Sequence, residues 1–213
     1  MALAFHYRSA LASQASSAAR VAVLPGAWNP PTVAHLAIAR AALGWAAEVI
    51  LVLPRVFPHK TLDGADFRTR LAMLQALAEA ESGLSVATSE GGLYLEIARE
   101  TADIFGPDAE IGLVCGRDAA ERITAWDYGR PGVFREMLSR HPLLVASRSG
   151  EYLPPAEDAA RVIPLHLPAS FNEVSSTEVR NRILLAREWE HLVPRDIHAI
   201  AAECYGRTPI SPK

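Results

Sequence analysis

Short apolar runs alternate with helical patterns along this 213-residue chain, and this alternation limits the fold more than any other feature of the sequence. Apolar runs rich in Val, Leu and Ile occur at 21–24, 48–53, 84–88, 111–115, 143–146 and 162–165. Helical patterns occur at 34–43, 67–80, 94–105, 133–140, 177–186 and 194–204. Short buried strands that alternate with helices indicate βαβ units and a parallel sheet covered on both faces. We therefore predict a doubly wound α/β fold.

Composition sets limits on the class of protein. Half of the residues are hydrophobic, 21% are charged and the net charge is -3, which is typical of a globular chain with no general attraction to nucleic acid or anionic membranes. No apolar stretch reaches the 18 residues that a membrane span requires. The two cysteines, Cys115 and Cys204, lie far apart, which argues against a disulfide framework or a zinc cluster. We expect a cytoplasmic protein without a nucleic-acid or membrane partner.

One domain is the simplest organisation that the sequence supports. Residues 21–205 are predicted to form it, preceded by an arm or helix at 1–20 and followed by a tail at 206–213. The first twenty residues contain no acid and are rich in Ala, Ser and Arg, which leaves a targeting leader open as an alternative. Proline-rich loops follow several of the predicted strands at their carboxyl ends, where open α/β sheets bind their ligands.

The first of these turns, PGAWNPPTVAHL at 25–36, places a hydroxyl and an imidazole at the start of a helix. Gly26 would let the backbone approach a ligand or adopt positive φ. The N–H groups of the following helix would point at the turn, a geometry that suits phosphate. Thr32 and His35 would share one face beside these N–H groups and could hold phosphate oxygens. Alternatively, Thr32 only caps the helix and His35 is a structural histidine.

A second stretch with phosphate-binding character, SSTEVR at 175–180, begins another predicted helix. Its hydroxyls and N–H groups form a nest of donors, and Arg180 lies one turn beyond Thr177, where its guanidinium could reach phosphate oxygens. The alternative is a capping box, in which Ser175 accepts from the N–H of Glu178 and Glu178 reaches back.

Taken together, these stretches resemble the nucleotidylyltransferases with an (H/T)xGH loop and an SSTxxR helix start, and within them the bacterial nicotinate (nicotinamide) mononucleotide adenylyltransferases. The matching segments run in the family's order from residue 21 to about residue 205. They are GAWNPPTVAH, PRVFPHK, FRTRLAML, CGRDAAERITAW, LLVASR, SSTEVRNRI and HLVPRDIHAI. The resemblance implies a Rossmann-like nucleotidyltransferase fold and adenylyl transfer from ATP, with Mg²⁺, to a mononucleotide in NAD biosynthesis. Whether several copies assemble is left open.

The resemblance also implies roles for individual residues. It assigns the phosphate chemistry to His35, Thr32, Lys60 and Arg180. It assigns ATP binding to Gly26, Ala27, Gly116, Asp118, Ser175, Ser176 and Thr177. It assigns the second substrate to Asn29, Trp126 and Arg148, with the indole stacking on a pyridine ring. Structural alternatives stay open at three positions: a solvated Lys60, a half-buried core Trp126 and an Arg148 in a surface salt bridge.

The sequence departs from the family's pattern in three places. Ala34 replaces the usual glycine of the loop motif, and Trp28-Asn29 stands where Phe-Asp or Phe-Asn is usual. The segment 90–96, EGGLYLE, stands where the family has a Ser-Tyr-Thr stretch that helps to recognise the nicotinate carboxylate. Two other hypotheses therefore remain: a related transferase with another phosphate acceptor, and a nucleotide-binding homologue that has lost turnover.

Overall fold

A seven-stranded sheet with the order β1-β4-β3-β2-β5-β6-β7 forms the centre of the molecule. The computed structural model describes residues 3–10, 20–58, 61, 63–147 and 150–206. All neighbouring strands pair in parallel except β1, which pairs antiparallel with β4. The strands are β1 Ala4–Tyr7, β2 Val21–Pro25, β3 Glu48–Pro54, β4 Leu84–Ser89, β5 Ile111–Gly116, β6 Leu143–Ser147 and β7 Val162–His166.

Helices connect the strands and cover both faces of the sheet. They are α1 Val33–Leu43, α2 Phe67–Ala80, α3 Tyr94–Phe105, α4 Arg117–Ala125, α5 Val133–Arg140, α6 Ser176–Leu184 and α7 His198–Tyr205. Helices α1, α2, α6 and α7 contribute to one apolar cluster, and α3, α4 and α5 contribute to a second one. Strands β3 and β4 are buried along their whole length, as expected for strands enclosed between two helical layers.

The predicted fold class is confirmed, and so are the six predicted strands, which agree with β2 to β7 to within one residue at each end. Helices α2, α3 and α5 begin and end where the sequence predicts. Helix α7 begins later, at His198, because Pro194 is followed by a 3-10 turn at Arg195–Ile197. Helix α4 was missed, since its short, charged sequence RDAAERITA has few apolar positions from which to recognise a helix.

Part of the amino-terminal segment, predicted as an arm or helix, forms a strand. Ala4–Tyr7 form the edge strand β1, and the His6 Nε2 lies 3.0 Å from the Thr88 hydroxyl. The Arg8 guanidinium pairs with the buried Glu48 at 3.2 Å. The physical reason is that β4 has an open edge, and a strand that pairs there satisfies its backbone groups. Residues 11–19 and 207–213 lie outside the described residues, so the domain boundaries at 20 and 205 remain a prediction.

The sheet order creates a crevice at the carboxyl end of β2. The chain passes from β2 through α1 to β3 on one side, whereas β5 pairs with β2 on the other side. Open α/β sheets bind ligands at such a reversal of strand order. The loops that follow β2, β3, β4 and β5 all leave the sheet at this edge.

Candidate functional site

The turn between β2 and α1 holds Thr32 and His35 in a reciprocal arrangement. Thr32 is the N-cap of α1, and its Oγ1 accepts from the His35 backbone N–H at 3.4 Å. In return, the His35 Nδ1 accepts from the Thr32 backbone N–H at 3.1 Å and lies 2.7 Å from the Thr32 hydroxyl. Because Nδ1 is an acceptor, the proton of the neutral ring lies on Nε2. The imidazole therefore presents a donor at Nε2.

Thr32 therefore caps the helix and at the same time orients His35 for a contact with phosphate, so the two interpretations are compatible. A capping box normally uses Glu or Gln at the third helical position, and here a histidine fills that place. The local hydrogen bonds fix the ring orientation before any ligand arrives. The His35 ring also packs against the Trp28 indole, with 5.2 Å between ring centroids.

The packing of the Trp28 ring explains why residue 26 is a glycine. Trp28 has a positive φ of 54°, is 1% exposed and donates from its indole N–H to the Val52 carbonyl at 2.8 Å. A Cβ at Gly26 would lie 2.9 Å from the indole. Gly26 itself does not have positive φ, so the sequence-based expectation of a left-handed conformation applies to Trp28. Gly26 is required by close packing.

Asn29 lies inside the protein. Its side chain donates to the Asp63 carbonyl, and its Oδ1 accepts from the Ala65 N–H at 3.1 Å and from the Tyr205 hydroxyl at 2.7 Å. Asn29 is 5% exposed and precedes a cis peptide bond to Pro30. This arrangement does not support the predicted substrate contact, because the amide is engaged within the protein. The side chain instead ties the turn to α7.

The second donor-rich segment is docked directly on this turn. The Ser176 hydroxyl donates to the Pro30 carbonyl at 2.7 Å, and the Arg180 Nη1 donates to the Asn29 carbonyl at 2.5 Å. A second guanidinium nitrogen of Arg180 lies 3.4 Å from the Thr177 hydroxyl. The starts of α1 and α6 therefore meet, although they are far apart in sequence.

The predicted capping box at the start of α6 is half present. Ser175 is the N-cap and accepts from the Glu178 N–H at 3.1 Å. Glu178 does not reach back, since its carboxylate pairs with Arg182 at 2.6 Å in the next turn. The first turn of α6 thus presents hydroxyls and backbone donors without a carboxylate placed over them.

Gly116 and Asp118 lie where β5 ends and α4 begins. Gly116 is the N-cap of α4, and a Cβ placed there would meet no atom within 4 Å. The Asp118 carboxylate is 69% exposed and accepts from Arg117 at 3.3 Å. The open space at Gly116 is consistent with the close approach of a ligand to the backbone.

The loops after β3 and β4 lie against each other. Arg55 and Glu90 form an ion pair at 2.7 Å, and a Cβ at Gly92 would lie 2.5 Å from the Val56 carbonyl. These contacts bring the 90–96 segment, which matched the family poorly, to the same edge of the sheet as the other candidate residues.

Two carboxylates of α3 bind the backbone of this segment. The Glu96 carboxylate accepts from the N–H groups of Gly92 and Leu93, each at 2.9 Å. The buried Glu100 accepts from the Gly91 N–H at 3.0 Å. Three successive backbone donors are thus engaged by side chains of the protein.

Trp126 borders two cavities at the end of α4. One has a volume of about 60 Å³ and is lined by Gly92, Leu93, Tyr94, Ala119, Arg122, Ile123, Trp126 and Tyr128. The other has a volume of about 380 Å³ and extends along the 124–134 loop. Trp126 is half-buried and lines both cavities, so part of its side chain is accessible to a ligand. Burial raises the pKa of Tyr128 to about 12 and that of Tyr94 well above its usual value, so both phenols stay neutral.

Arg70 packs against the β2–α1 turn, and no role for it was predicted from the sequence. It is 7% exposed, donates to the Ala27 carbonyl at 3.2 Å and lies beside the rings of Phe57 and Phe67. Burial lowers the pKa of its guanidinium. The FRTRLAML segment was the only sequence signal for it.

The structure thus brings together most of the predicted site. Gly26, Ala27, Thr32, His35, Ser175, Ser176, Thr177 and Arg180 form one group, and Gly116, Asp118 and Trp126 lie at the end of β5 and along α4. Lys60 and Arg148 lie outside the described residues. Within the described ranges, no three His, Cys, Asp or Glu side chains are arranged to hold a metal ion. No described helix is long and apolar enough to cross a membrane.

Comparison with known proteins shows the family of this chain. A sequence profile described as cytidylyltransferase-like matches residues 23–182, a range that includes both donor-rich helix starts. The chain belongs to the cytidylyltransferase-like family. As a member of this family it is a nucleotidyltransferase, and the matched range contains each of the candidate site residues named above.

Curated relatives within the cytidylyltransferase-like family include proteins named probable nicotinate-nucleotide adenylyltransferase. One from Gemmatimonas aurantiaca is 30% identical over 187 residues, covering 82% of this chain and 86% of that protein. One from Anaeromyxobacter dehalogenans is 31% identical over 190 residues, covering 85% of this chain and 93% of that protein.

Solved structures share the cytidylyltransferase-like fold. The nicotinic acid mononucleotide adenylyltransferase of Plasmodium falciparum, complexed with NaAD, superposes with a TM-score of 0.67 at 16% identity. The alignment covers 87% of this chain and 93% of that one. At this identity the likeness establishes the fold alone.

Proposed function

We propose that this protein transfers an adenylyl group from Mg-ATP to nicotinate or nicotinamide mononucleotide, releasing pyrophosphate and forming a dinucleotide for NAD biosynthesis. The observation that carries the proposal is the docking of α6 on the β2–α1 turn, through Ser176 to Pro30 and Arg180 to Asn29. This contact joins two sets of anion donors into one site at the carboxyl end of β2. The names of the curated relatives support the same reaction.

The reaction requires positioning and charge stabilisation. An oxygen of the mononucleotide 5'-phosphate forms a bond to the α-phosphorus of ATP, and the bond from that phosphorus to the bridging oxygen breaks. The departing pyrophosphate takes the electron pair of the broken bond. No covalent intermediate with the protein is needed, so the side chains act by holding the two phosphates in line and by stabilising the charge that develops.

His35 would stabilise the leaving group. Its Nδ1 is held by Thr32, so Nε2 carries the proton of the neutral ring and donates to the bridging oxygen as that oxygen gains charge. Thr32 is a positioning residue in this scheme, because its own groups are used to orient the ring.

Arg180 and the first turn of α6 would bind the β and γ phosphates. A guanidinium has five N–H donors, and the two contacts of Arg180 with the protein leave others for phosphate oxygens. The hydroxyls of Ser176 and Thr177 and the start of α6 add further donors. Lys60 stays part of the proposal as a second phosphate-binding cation.

The donor set of the described site consists of hydroxyls, backbone N–H groups, an imidazole and guanidinium groups. This set suits anions and offers no cluster of carboxylates for a divalent cation. Mg²⁺ therefore fits as part of the Mg-ATP substrate, held by phosphate oxygens and water. Its charge would offset that of the triphosphate.

The acceptor would lie at the end of α4. Trp126 offers an aromatic face for a pyridine ring. Gly116 and Asp118, at the other end of the same helix, stay predictions for the ATP side, where they suit ribose hydroxyls. Arg148 stays a prediction for the acceptor side. We replace the predicted substrate role of Asn29 by a positioning role, and we place the reaction in the cytoplasm.

The position of Ala34 argues against the hypothesis that alanine in place of the family's glycine abolishes turnover. Ala34 is 1% exposed and belongs to the apolar cluster beneath the turn, so its methyl group packs against the core. The arrangement of Thr32 and His35 is complete with alanine at this position.

Pyrophosphate release by the purified protein with Mg-ATP tests the proposal. The acceptors to compare are nicotinate mononucleotide, nicotinamide mononucleotide, pantetheine phosphate and none. Release that depends on a pyridine mononucleotide, with the dinucleotide detected as product, is the expected result. Release with pantetheine phosphate alone would assign another acceptor, and ATP binding without release in any arm would indicate a homologue without turnover.

A further inference from the structure

The small cavity beside Trp126 contains a single charged side chain. Its wall is otherwise formed by glycine, aliphatic and aromatic residues, and Arg122 is the one ionised group among the residues that line it. Arg122 of α4 and Trp126, the residue that follows this helix, line the same cavity. A flat ring stacked on the indole would therefore have a guanidinium near its edge.

Arg122 has no carboxylate partner in the part of the chain that the structure describes. The acids of α4 next to it pair with a different arginine: Asp118 lies 3.3 Å and Glu121 lies 3.7 Å from Arg117. The charge of Arg122 nevertheless acts on the cavity wall, since it opposes the rise that burial causes in the pKa of Tyr94 and of Cys115. Its positive charge is available to a ligand.

The backbone donors at the start of α3, beside this cavity, are already used by the protein. The N–H groups of Gly92 and Leu93 donate to Glu96, and that of Gly91 donates to Glu100. A ligand carboxylate that approached these donors would compete with a carboxylate of the protein and would be repelled by it. Arg122 is the group that can offset this repulsion.

We propose that Arg122 selects the acceptor by pairing with the ring carboxylate of nicotinate mononucleotide, so that the acid is preferred over the neutral amide. This inference rests on the proposed function, since it concerns the acceptor of that same reaction. Arg122 would then be the specificity determinant of the acceptor cavity. Glu96 would act against any anion that Arg122 does not neutralise.

Arg122→Gln provides the main test. The measurement is kcat/KM with nicotinate mononucleotide and with nicotinamide mononucleotide, at fixed Mg-ATP, and the readout is their ratio. We expect the acid-to-amide ratio to fall about tenfold or more, as for the loss of a hydrogen bond to a charged group. Arg122→Lys should keep most of the preference, because it keeps the positive charge.

Two controls make the result specific. Arg99→Gln removes an exposed arginine of α3 that lines neither cavity, and its ratio should equal that of the unaltered protein. Glu96→Gln tests the other route of recognition: if Gly92 and Leu93 read the substrate carboxylate in place of Arg122, the ratio should rise in Glu96→Gln and stay unchanged in Arg122→Gln.

Three outcomes would overturn the inference. A ratio unchanged in Arg122→Gln would exclude discrimination by Arg122. An equal loss with both acceptors would assign Arg122 to a group that they share, such as the 5'-phosphate. If the unaltered protein uses neither pyridine mononucleotide, the proposed function itself fails, and the inference fails with it.

Discussion

At the scale of single residues, Thr32 and His35 combine a helix cap with an oriented imidazole. One of the two hydrogen bonds that begin α1, from the Thr32 N–H to the His35 Nδ1, decides that the proton of the neutral ring lies on Nε2. The orientation of the ring is therefore supported from within the same turn. The segment 25–36 can therefore present the His35 Nε2–H as a donor at the ligand crevice.

His35→Ala should lower turnover by about 10² or more, as for the removal of one transition-state donor. His35→Gln is the matched variant, because glutamine at the third helical position can retain the bond to the Thr32 N–H. We expect both variants to lose turnover in pyrophosphate release, and His35→Gln to keep the urea midpoint of the parent. Full turnover in His35→Gln would return His35 to a capping role.

Two glycines should respond to alanine in opposite ways. Gly26→Ala would place a methyl group 2.9 Å from the Trp28 ring, so we expect a loss of about 1–3 kcal/mol in the free energy of unfolding. Gly116→Ala meets no protein atom and should be stable, yet raise the KM for a substrate that approaches this backbone. Denaturant unfolding and steady-state kinetics on both variants separate these effects. A Gly116→Ala variant with unchanged kinetics would remove Gly116 from the site.

At the scale of elements, the decisive contact is between the start of α6 and the β2–α1 turn. The partner of Ser176 lies 146 residues away in sequence, and that of Arg180 lies 151 residues away. Both bonds use backbone carbonyls of the turn as acceptors. The geometry of the turn and the placement of the α6 donors are therefore coupled, and Tyr205 of α7 adds a third tether through Asn29.

Ser176→Ala should lower the free energy of unfolding by about 1 kcal/mol, because the Pro30 carbonyl loses its donor. It should also raise the KM for ATP, since the turn and the start of α6 would lose one of their links. Ser139→Ala is the control: its hydroxyl donates to the Glu136 carbonyl within α5 at 2.8 Å, and we expect a change within about 0.5 kcal/mol. Equal effects in urea unfolding would mean that the bond from Ser176 to the turn contributes no more to stability than a bond within one helix.

At the scale of the whole molecule, both faces of the sheet are covered, and three tyrosines of the covering layers are partly buried. Tyr94, Tyr128 and Tyr205 all have a raised pKa, caused mainly by burial. In the unfolded chain these groups ionise near their ordinary value of 10.0. The folded protein therefore binds more protons than the unfolded chain above that pH.

Stability should accordingly be constant with respect to these tyrosines below pH 10 and fall as the pH rises above it, through about 12 for Tyr128. Urea unfolding at a series of alkaline pH values measures the slope. Tyr128→Phe should reduce the slope, because phenylalanine cannot ionise, whereas the exposed-face variant Arg99→Gln should leave it unchanged. A slope unaffected by Tyr128→Phe would contradict the burial argument for this phenol.

The sequence by itself determined the strand-and-helix alternation, the α/β class and the two donor-rich helix starts. These features are encoded by neighbouring residues: apolar runs of strand length, helical periodicity, and caps such as Thr32 and Ser175. The sequence did not reveal β1, whose four residues become a strand only because β4 offers an open edge. It also did not reveal α4, in which few apolar positions mark the helix.

Only the tertiary structure decided how the candidate site is assembled. Asn29 faces inward because α7 supplies Tyr205 and the 63–65 segment supplies two backbone partners. Gly92 lies beside Trp126 because β4 and β5 end at the same edge of the sheet. Such contacts depend on strand order and on which helix covers which face. These properties arise only when the chain packs, so they cannot be predicted from patterns among neighbouring residues.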